Sequence, residues 1–142
     1  MTVEFEAVEA APFEEIVELY KSAGWWRDVP DTETEARANI SAMIRGSLRF
    51  MVARLSEGRI VGMARVISDG YSDAYIQDVV VLPSYQKQGI GRELIRLLTE
   101  FCIDRKISWI GLVAEPGTQK FYEELGYGPL AGYQPMLYSR RA

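Results

Sequence analysis

The chain has 142 residues, with 16 basic against 20 acidic side chains and a formal net charge of −4. This length suits one domain, so we expect residues 1–142 to form a single domain. The sequence contains no histidine, which excludes a Ser-His-Asp triad, a Cys-His pair and histidine-ligated zinc. The acidic balance, without any basic cluster, argues against a nucleic-acid partner.

The cellular compartment of the protein is indicated by its cysteine content and by the lack of an apolar run long enough to span a membrane. Cys102 is the one cysteine, and its position in an apolar helical stripe predicts an inert core thiol rather than a nucleophile. An unpaired cysteine suits a reducing compartment. The amino terminus carries acids where a signal peptide carries Lys or Arg, and no apolar run approaches the roughly 18 residues of a membrane span. We therefore expect a cytoplasmic protein with no membrane partner and no metal.

The first part of the chain predicts one strand and two helices. Residues 3–7 alternate apolar and acidic side chains, as in a half-buried strand. Apolar residues then recur at helical spacing between Pro12 and Gly24, which suit a helix start and a helix end. Residues 31–46 predict a second, weaker helix. Its inward-facing positions are predicted to be Ala38, Ile40, Ala42, Met43 and Ile44.

The middle of the chain changes to strand periodicity. Arg49–Leu55 and Arg59–Ile67 are predicted strands, joined by a tight turn around Glu57-Gly58. Ala74–Leu82 is a third strand, nearly continuous in Ile and Val as expected for burial on both faces, and Pro83 ends it. These three strands should form an antiparallel meander.

The last part predicts a crossover and parallel pairing. A strongly amphipathic helix follows Gly89, and Trp109–Ala114 reads as a further buried strand, parallel to the third strand of the meander. A short helix is predicted over Thr118–Leu125, and the tail around Gln134–Tyr138 as a last strand. The fold class is therefore mixed α/β (α+β), with an antiparallel N-terminal half, parallel central strands and about four helices.

A Gly-x-Gly pair opens the amphipathic helix directly after a buried strand. The first N–H groups of a helix lack intrahelical partners, and the helix dipole adds partial positive charge. Gly89 and Gly91 let an anion approach the backbone, and Lys87 and Arg92 add positive charge. The segment predicts a phosphate or pyrophosphate site, although a tight turn that needs small residues explains the glycines equally well.

The complete string narrows the phosphate ligand. A dinucleotide fingerprint needs a glycine where Leu94 stands, and a P-loop needs Lys-Ser/Thr where Arg92-Glu93 stands. The string Gln86-Lys87-Gln88-Gly89-Ile90-Gly91 instead resembles the Q/R-x-x-G-x-G/A acetyl-CoA signature of the GNAT superfamily of N-acetyltransferases. Ile60–Arg65 resembles the family's preceding strand, and Phe121–Tyr127 its (L/F)-Y-x-x-x-G-(F/Y) motif.

The resemblance covers roughly residues 50–128. It implies a GNAT fold with splayed central strands and transfer of an acetyl group from acetyl-CoA to a primary amine. The strings Gly62–Gly70 and Ile76–Val81, with Gly24-Trp25 and Met136, are similar to a branch containing plant-type serotonin (arylalkylamine) N-acetyltransferases and uncharacterised bacterial relatives. A small arylalkylamine- or polyamine-like acceptor is expected. A protein Lys or N-terminal acetyltransferase and a non-catalytic CoA-binding regulatory module stay open, as does a homodimer.

The resemblance also implies how the cofactor is held. The pantetheine arm would pair with an open strand edge, and a backbone N–H of Val80 or Val81 would polarise the thioester carbonyl. One family contact is missing, because Glu115 stands where many members carry an Asn. The expected cofactor-binding residues are Val79, Val80, Val81, Gln86, Lys87, Gln88, Gly89, Ile90, Gly91, Arg92 and Gly117.

Acetyl transfer to an amine also needs a base and an acid. Tyr122 matches the family's proton-donor tyrosine, with a core aromatic as the other interpretation. Without histidine the base is expected to be a carboxylate, and Asp78 is favoured over Asp69 and Asp73, with a surface or turn-bonded acid as its alternative.

An acceptor site is expected at the end of the first helix, where GNAT acceptor sites usually lie. Adjacent tryptophans are rarely both core, so one of them is a candidate to stack on an aromatic or cationic acceptor. A packing corner is the competing explanation. The predicted acceptor residues are Trp25, Trp26 and Tyr20.

Overall fold

A computed structural model describes residues 2–26 and 32–139 of the chain. The chain divides into two compact units, Met1–Leu112 and Val113–Ala142. The single domain expected over 1–142 stays a prediction. The strands are β1 (Val3–Ala7), β2 (Arg49–Leu55), β3 (Ile60–Ser68), β4 (Asp73–Val81) and β5 (Trp109–Gly111). The helices are α1 (Phe13–Ser22), α2 (Glu33–Gly46), α3 (Ile90–Asp104) and α4 (Gln119–Glu123), and Pro83–Tyr85 forms one 3-10 turn.

The first unit contains a mixed five-stranded sheet in the order β1-β2-β3-β4-β5. The pairs β1–β2, β2–β3 and β3–β4 are antiparallel, and β4–β5 is parallel. The prediction of an antiparallel half followed by parallel central strands is confirmed. The predicted strands from residue 49 to residue 82 agree with the observed ones to within one residue at each end.

The C-terminal strand predictions were wrong in two places. β5 ends at Gly111 instead of Ala114 and is not enclosed, since Trp109 is 41% exposed. Within the described residues β5 is the edge strand, so its apolar run has a neighbouring strand on one side only. Gln134–Tyr138 forms no strand and is exposed. Pro135 lacks the N–H that a ladder position would donate.

Helix α2 is capped by Thr32, whose side chain accepts a hydrogen bond from the Glu35 N–H at 3.1 Å. Its buried positions are Ala36, Ile40 and Ile44, which recur every four residues. The prediction that Ala38 and Ala42 face inward was wrong, because a shift of two residues turns a side chain to the opposite helix face.

The helices of the first unit cover both faces of the sheet. On one face, a Cβ added at Gly62 would lie 3.2 Å from Ile90 and 3.4 Å from Leu94 of α3. Arg65, three residues further along β3, points to the other face and contacts Ser47, which follows α2. In α3 the thiol of Cys102 is buried, and burial raises its pKa, as expected for a core cysteine.

Across residues 2–26 and 32–139, no helix combines the length and the apolar character that crossing a bilayer requires.

The close approach of α3 to β3 gives a stability prediction. Gly62→Val should lower the free energy of unfolding by about 1–3 kcal/mol, because the added methyl groups meet Ile90, Leu94 and Ala53. Gly46→Ala is the matched control, since a Cβ there meets nothing within 4 Å, and it should be neutral or slightly stabilising. Urea unfolding measures both. Equal stability of the two variants would contradict the packing described.

Candidate active site

Strand β4 has an edge that is only partly paired. Its partner β5 contacts it through Asp73–Tyr75 alone. Beyond Tyr75, β4 continues for six residues, Ile76–Val81, and no strand of the described residues pairs with that stretch on the β5 side. Unpaired peptide groups on a strand edge are a template for an extended, amide-containing ligand. This is the splayed geometry that the sequence resemblance implied.

A β-bulge lies in the same stretch. Arg65 pairs with Gln77 and Met63 pairs with Val80, so Asp78 and the residue after it lie opposite Ala64 alone. Asp78 has a φ of 55°. This left-handed conformation is uncommon for a residue other than glycine, although Asp tolerates it better than most. Because of this extra residue, the peptide groups of β4 that follow the bulge face β3 one position later than they would in a regular strand.

The shift decides which peptide group faces the open edge. The Leu82 N–H donates to the Val61 carbonyl of β3 at 2.9 Å. Peptide groups alternate between the two edges of a strand, so the Val80 N–H also faces β3 and the Val81 N–H faces the open edge. The Val81 carbonyl accepts instead from Nε2 of Gln86 at 2.9 Å. Of the two predicted oxyanion donors, this geometry favours Val81 over Val80.

The start of α3 places the first peptide N–H groups of the helix at the glycine loop. Gly89 is the N-cap residue, with a φ of 87° and no side-chain capping bond. Its carbonyl accepts from the Glu93 N–H at 3.0 Å, so the N–H groups of Ile90, Gly91 and Arg92 precede the first bond of the helix. A Cβ at Gly89 would meet nothing within 4 Å. The left-handed backbone, rather than crowding, therefore favours glycine at this position.

The loop before α3 connects this helix start to the end of β4. Its residues Lys87 and Gln88 are exposed, and Lys87 has a φ of 61°. The Gln86 amide ties the loop to Val81 through the bond described above. The sequence predicted Gln86 as a cofactor contact, whereas here its side chain holds the loop against the strand end. The open edge and the glycine loop thus belong to one structural unit.

Three side chains meet beside the bulge and form what we call the Asp78 cluster: Tyr20, Arg65 and Asp78. Arg65 Nε lies 2.7 Å from Asp78 Oδ2, and the Tyr20 hydroxyl donates to the same oxygen at 2.8 Å. Tyr20 is 7% exposed. Burial, followed by the charge and hydrogen bond of Asp78, raises the pKa of its phenol well above the ordinary value. The hydroxyl of Tyr20 is therefore bonded inside the protein, and its predicted contact with an acceptor stays a prediction.

The two tryptophans take different neighbours. Trp25 is half-buried, and its backbone N–H donates to the Tyr20 carbonyl at 3.0 Å. The ring centroids of Trp25 and Tyr20 lie 6.4 Å apart. Trp26 is half-buried against Phe13, with ring centroids 6.4 Å apart in an edge-on arrangement. Trp25 therefore adjoins the Asp78 cluster, while Trp26 packs against the start of α1. Their roles toward an acceptor stay predictions.

The alternative base candidates lie at the β3–β4 turn. Asp69 accepts hydrogen bonds from the N–H groups of Tyr71 and Ser72 at 2.8 and 2.9 Å, and from the Ser72 hydroxyl at 2.6 Å. These bonds, the Ser72 hydroxyl first, lower the pKa of Asp69 to about 2. A carboxylate used in this way stabilises a turn. Asp73 lies at the start of β4. Its carboxylate has no comparable set of hydrogen bonds among the described contacts.

The second unit contains Tyr122 on the short helix α4. The ring of Tyr122 packs edge-on against Phe121 and Tyr127, at centroid distances of 5.0 and 6.3 Å. Burial raises the pKa of its phenol, and the nearby carboxylate of Glu115 raises it further. Before the helix, Gly117 takes a φ of 86° in a turn where the Thr118 N–H donates to the Glu115 carbonyl at 3.0 Å. Tyr122 is therefore a phenol that stays protonated at neutral pH.

No group of three or more Cys, Asp or Glu side chains suited to a metal ion occurs within residues 2–26 and 32–139. Arg65 is the residue of the site that the sequence analysis did not single out as functional. A charged residue inside the apolar run of β3 was the available signal, because such a residue needs a partner.

With this geometry established, the comparison with sequence families assigns the chain to a class. Residues 13–127 match the family described as "Acetyltransferase (GNAT) family". The chain therefore belongs to the GNAT family of acetyltransferases. The match extends over parts of both structural units.

Curated relatives carry related names. A protein named histone acetyltransferase TAP1, from Glycine max, is 35% identical over 113 residues, which cover 77% of this chain and 48% of that protein. Serotonin N-acetyltransferase 2, chloroplastic, from Oryza sativa subsp. japonica, is 41% identical over 75 residues, covering 53% of this chain and 38% of that protein. The uncharacterized N-acetyltransferase ycf52 of Pyropia yezoensis is 33% identical, covering 80% of this chain and 63% of that protein. The chain thus spans less than two thirds of these relatives.

Solved structures share the fold. A GNAT family acetyltransferase from Streptococcus pneumoniae TIGR4 superposes with a TM-score of 0.80 at 25% identity, covering 99% of this chain and 100% of that one. AAC(6')-Iy, solved with the bisubstrate analog CoA-S-monomethyl-acetylneamine, has a TM-score of 0.73 at 18% identity and covers both chains fully. At that identity the second likeness concerns the fold alone.

The environment of Tyr122 predicts when its phenol ionises. Subtracting the pH titration of Tyr122→Phe from that of the parent should give a phenolate absorbance band whose titration midpoint lies above pH 10, because the pKa is raised from its ordinary value of 10.0. Ultraviolet difference spectroscopy measures this band. A midpoint at or below pH 10 would contradict the buried, anion-facing environment described.

Proposed function

We propose that this protein transfers an acetyl group from acetyl-CoA to a primary amine, by direct attack in a ternary complex. One observation carries the proposal: the open edge of β4 and the glycine-capped start of α3 are joined by a short loop within one unit. Acetyl-CoA has the matching order of groups, since its thioester and amide-rich pantetheine arm are followed by a pyrophosphate. Dinucleotides and nucleoside triphosphates carry phosphates but lack an amide-rich arm that could pair with an open strand edge.

The donor would be held along these two features in turn. Pantetheine amides pair with the Val79–Val81 edge as a short added strand, a recognised mode of binding to a sheet edge. The pyrophosphate accepts from the N–H groups of Ile90, Gly91 and Arg92, where the helix dipole favours an anion. The exposed Lys87 adds positive charge to the same loop. Gly117 stays a predicted contact to the arm near Glu115.

The reaction requires charge to be stabilised on the thioester oxygen. The amine nitrogen attacks the carbonyl carbon, a C–N bond forms, and the carbonyl oxygen becomes an oxyanion that a backbone N–H stabilises. We assign that donor to Val81, because alternation along β4 turns its N–H to the open edge. Collapse of the intermediate breaks the C–S bond, and the thiolate takes a proton from Tyr122.

Proton removal from the amine accompanies the attack. An alkylamine with a pKa near 10.4 is neutral in only about one molecule in a few thousand at pH 7. A base or a water chain must therefore accept a proton. The predicted base is Asp78, whose carboxylate also accepts hydrogen bonds from Arg65 and Tyr20.

The acceptor is proposed to be a small arylalkylamine- or polyamine-like amine. The relative named serotonin N-acetyltransferase 2 supports this class, and Trp25 beside the Asp78 cluster offers an aromatic surface for such a ligand. The second candidate is a protein lysine, supported by the relative named histone acetyltransferase TAP1. An acetyl-CoA consumption assay with tryptamine, serotonin, spermidine and a lysine-containing histone peptide distinguishes the two. Consumption with none of these amines would count against the proposed function.

The pyrophosphate assignment predicts a charge effect at Gly89. Gly89→Asp should weaken acetyl-CoA binding at least about tenfold, because a carboxylate there repels the pyrophosphate. Gly89→Asn is the matched control, since Asn has the same shape, tolerates the left-handed conformation and adds no charge. Isothermal titration calorimetry measures both affinities. Equal affinities in the two variants would mean that no anion binds at this helix start.

The acid assignment predicts a kinetic effect at Tyr122. Tyr122→Phe keeps the ring packing and removes the proton donor, so kcat should fall about 10²–10⁴-fold while KM for acetyl-CoA barely changes. The control is Tyr127→Phe, which removes a hydroxyl from the neighbouring ring at a motif position where the family also uses Phe. Steady-state kinetics with a good acceptor test the pair. If both variants retain parental kcat, Tyr122 is a packing residue.

A further inference from the structure

Asp78 is the point at which two other elements are attached to β4. Its Oδ2 accepts from Arg65 Nε of β3 at 2.7 Å and from the Tyr20 hydroxyl of α1 at 2.8 Å. The side chains of Arg65 and Asp78 are only 16% and 22% exposed. Arg65 is itself held, because its Nη1 lies 3.4 Å from Ser47 Oγ, and Ser47 Oγ donates to the Met43 carbonyl at 2.8 Å. The extra residue of the bulge is thus the most heavily anchored residue along the open stretch of β4.

The anchor bears on the register of the residues that follow it. A bulge adds one residue to a strand, and a shift of one residue exchanges the groups that face the two edges. If the extra residue moved from Asp78 towards Val81, the Val81 N–H would face β3 instead of the open edge. The left-handed φ of 55° at Asp78 also costs energy for any residue with a Cβ. The conformation persists because the surrounding contacts hold it.

We propose that Asp78 is a positioning residue: Arg65 and Tyr20 hold its carboxylate, and this fixes the bulge that directs the Val81 N–H to the thioester. The inference rests on the proposed function, because it concerns the edge assigned to acetyl-CoA. It gives Asp78 a role through the backbone rather than as the acceptor of the amine proton. Arg65 and Tyr20 become positioning residues for the same reason.

Three substitutions at Asp78 separate a positioning role from a base. Both bonds go to one oxygen and both are donated to it, so the Asn amide oxygen in Asp78→Asn reproduces them without a charge. Asp78→Gly removes the side chain but takes the left-handed conformation easily, whereas Asp78→Ala removes it and does not. A base is lost equally in all three variants. In a positioning role, Asn keeps the anchored side chain, Gly loses the anchor but keeps the left-handed conformation, and Ala loses both.

The expected result is a ranking of kcat with acetyl-CoA and a good amine acceptor, measured between pH 7 and pH 9. Asp78→Asn should stay within about fivefold of the parent and keep the rise of rate with pH, because under this proposal the amine proton goes to water or to a group other than Asp78. Asp78→Ala should fall by about tenfold to hundredfold, below the roughly 10²–10³-fold cost of losing an oxyanion donor outright. Asp78→Gly should lie between them. The Kd for CoA should rise in the same order, Asn least and Ala most, because its pantetheine amides pair with the Val79–Val81 edge whose register the bulge sets.

Two kinetic outcomes overturn the proposal. If all three variants lose activity alike and the rise with pH disappears, Asp78 is the base. If all three retain parental kcat, the bulge holds its register without the carboxylate. Arg65→Met gives a second route to the same question, because it keeps bulk and removes the ion pair. We expect Arg65→Met to lower kcat. Combining it with Asp78→Ala should lower kcat little further, since both variants break the same Arg65–Asp78 contact.

Backbone NMR keeps this test separate from the proposed function. In the free protein, the amide shifts of Val80 and Val81 should move strongly in Asp78→Ala and little in Asp78→Asn. A parent that acetylates no amine but shows this shift pattern refutes the acetyltransferase proposal and leaves the anchor in place. Thermal unfolding shows whether Asp78→Ala is folded. Unmoved Val80 and Val81 amides in a folded Asp78→Ala variant overturn the anchor itself.

Discussion

Backbone hydrogen bonding is the constraint on which the rest of this structure depends. A strand inside a sheet normally has ladder partners on both edges, and an edge left open must find another partner or face solvent. In β4 the edge beside β5 is paired only at its first three residues, Asp73–Tyr75. The bulge, the tie from Gln86 and the start of α3 are all arranged around the stretch that remains open. Cofactor binding is therefore proposed where the sheet is incomplete, and few side chains are needed to achieve it.

This arrangement also accounts for a site without histidine. Peptide N–H groups and a helix terminus supply fixed partial charges that need no titratable group. The proposed proton donor is a phenol whose pKa is raised by burial and by Glu115, so it is protonated at neutral pH. The carboxylate at the bulge is held by a guanidinium and a second phenol. Chemistry is thus divided between the backbone and a few Tyr and Asp side chains.

Local patterns predicted most of the fold, because periodicity reports which face of an element is buried. The strands β2, β3 and β4 and the start of α3 follow directly from that signal. The errors occurred where burial depends on a distant neighbour. The apolar run after Trp109 resembles a central strand, yet β5 is the edge strand within the described residues. In α2 the apolar alanines Ala38 and Ala42 gave no clear indication of the helix face, and they are exposed.

The candidate site divides in the same way. The glycine loop was predictable because its residues are contiguous and its backbone conformations demand particular residue types. The partnership of Tyr20, Arg65 and Asp78 was not, because it joins residues 13 and 58 positions apart. A single sequence contains no record of which distant side chains meet. The bulge at Asp78 was also hidden, since the polar pair Gln77-Asp78 within β4 does not by itself show where the strand gains one residue.

Gly62 lies where the end of β4 and the start of α3 approach each other. It pairs with Val81 in the ladder, and a Cβ on it would press on Ile90, the first residue of α3. The missing side chain therefore sets the spacing between the strand end and the helix start. In the proposed function one acetyl-CoA molecule contacts both places, so the strand end and the helix start must keep a spacing that its extended pantetheine arm can span. Enlarging residue 62 would displace the start of α3 relative to the end of β4. Binding of acetyl-CoA should then weaken even where the protein still folds.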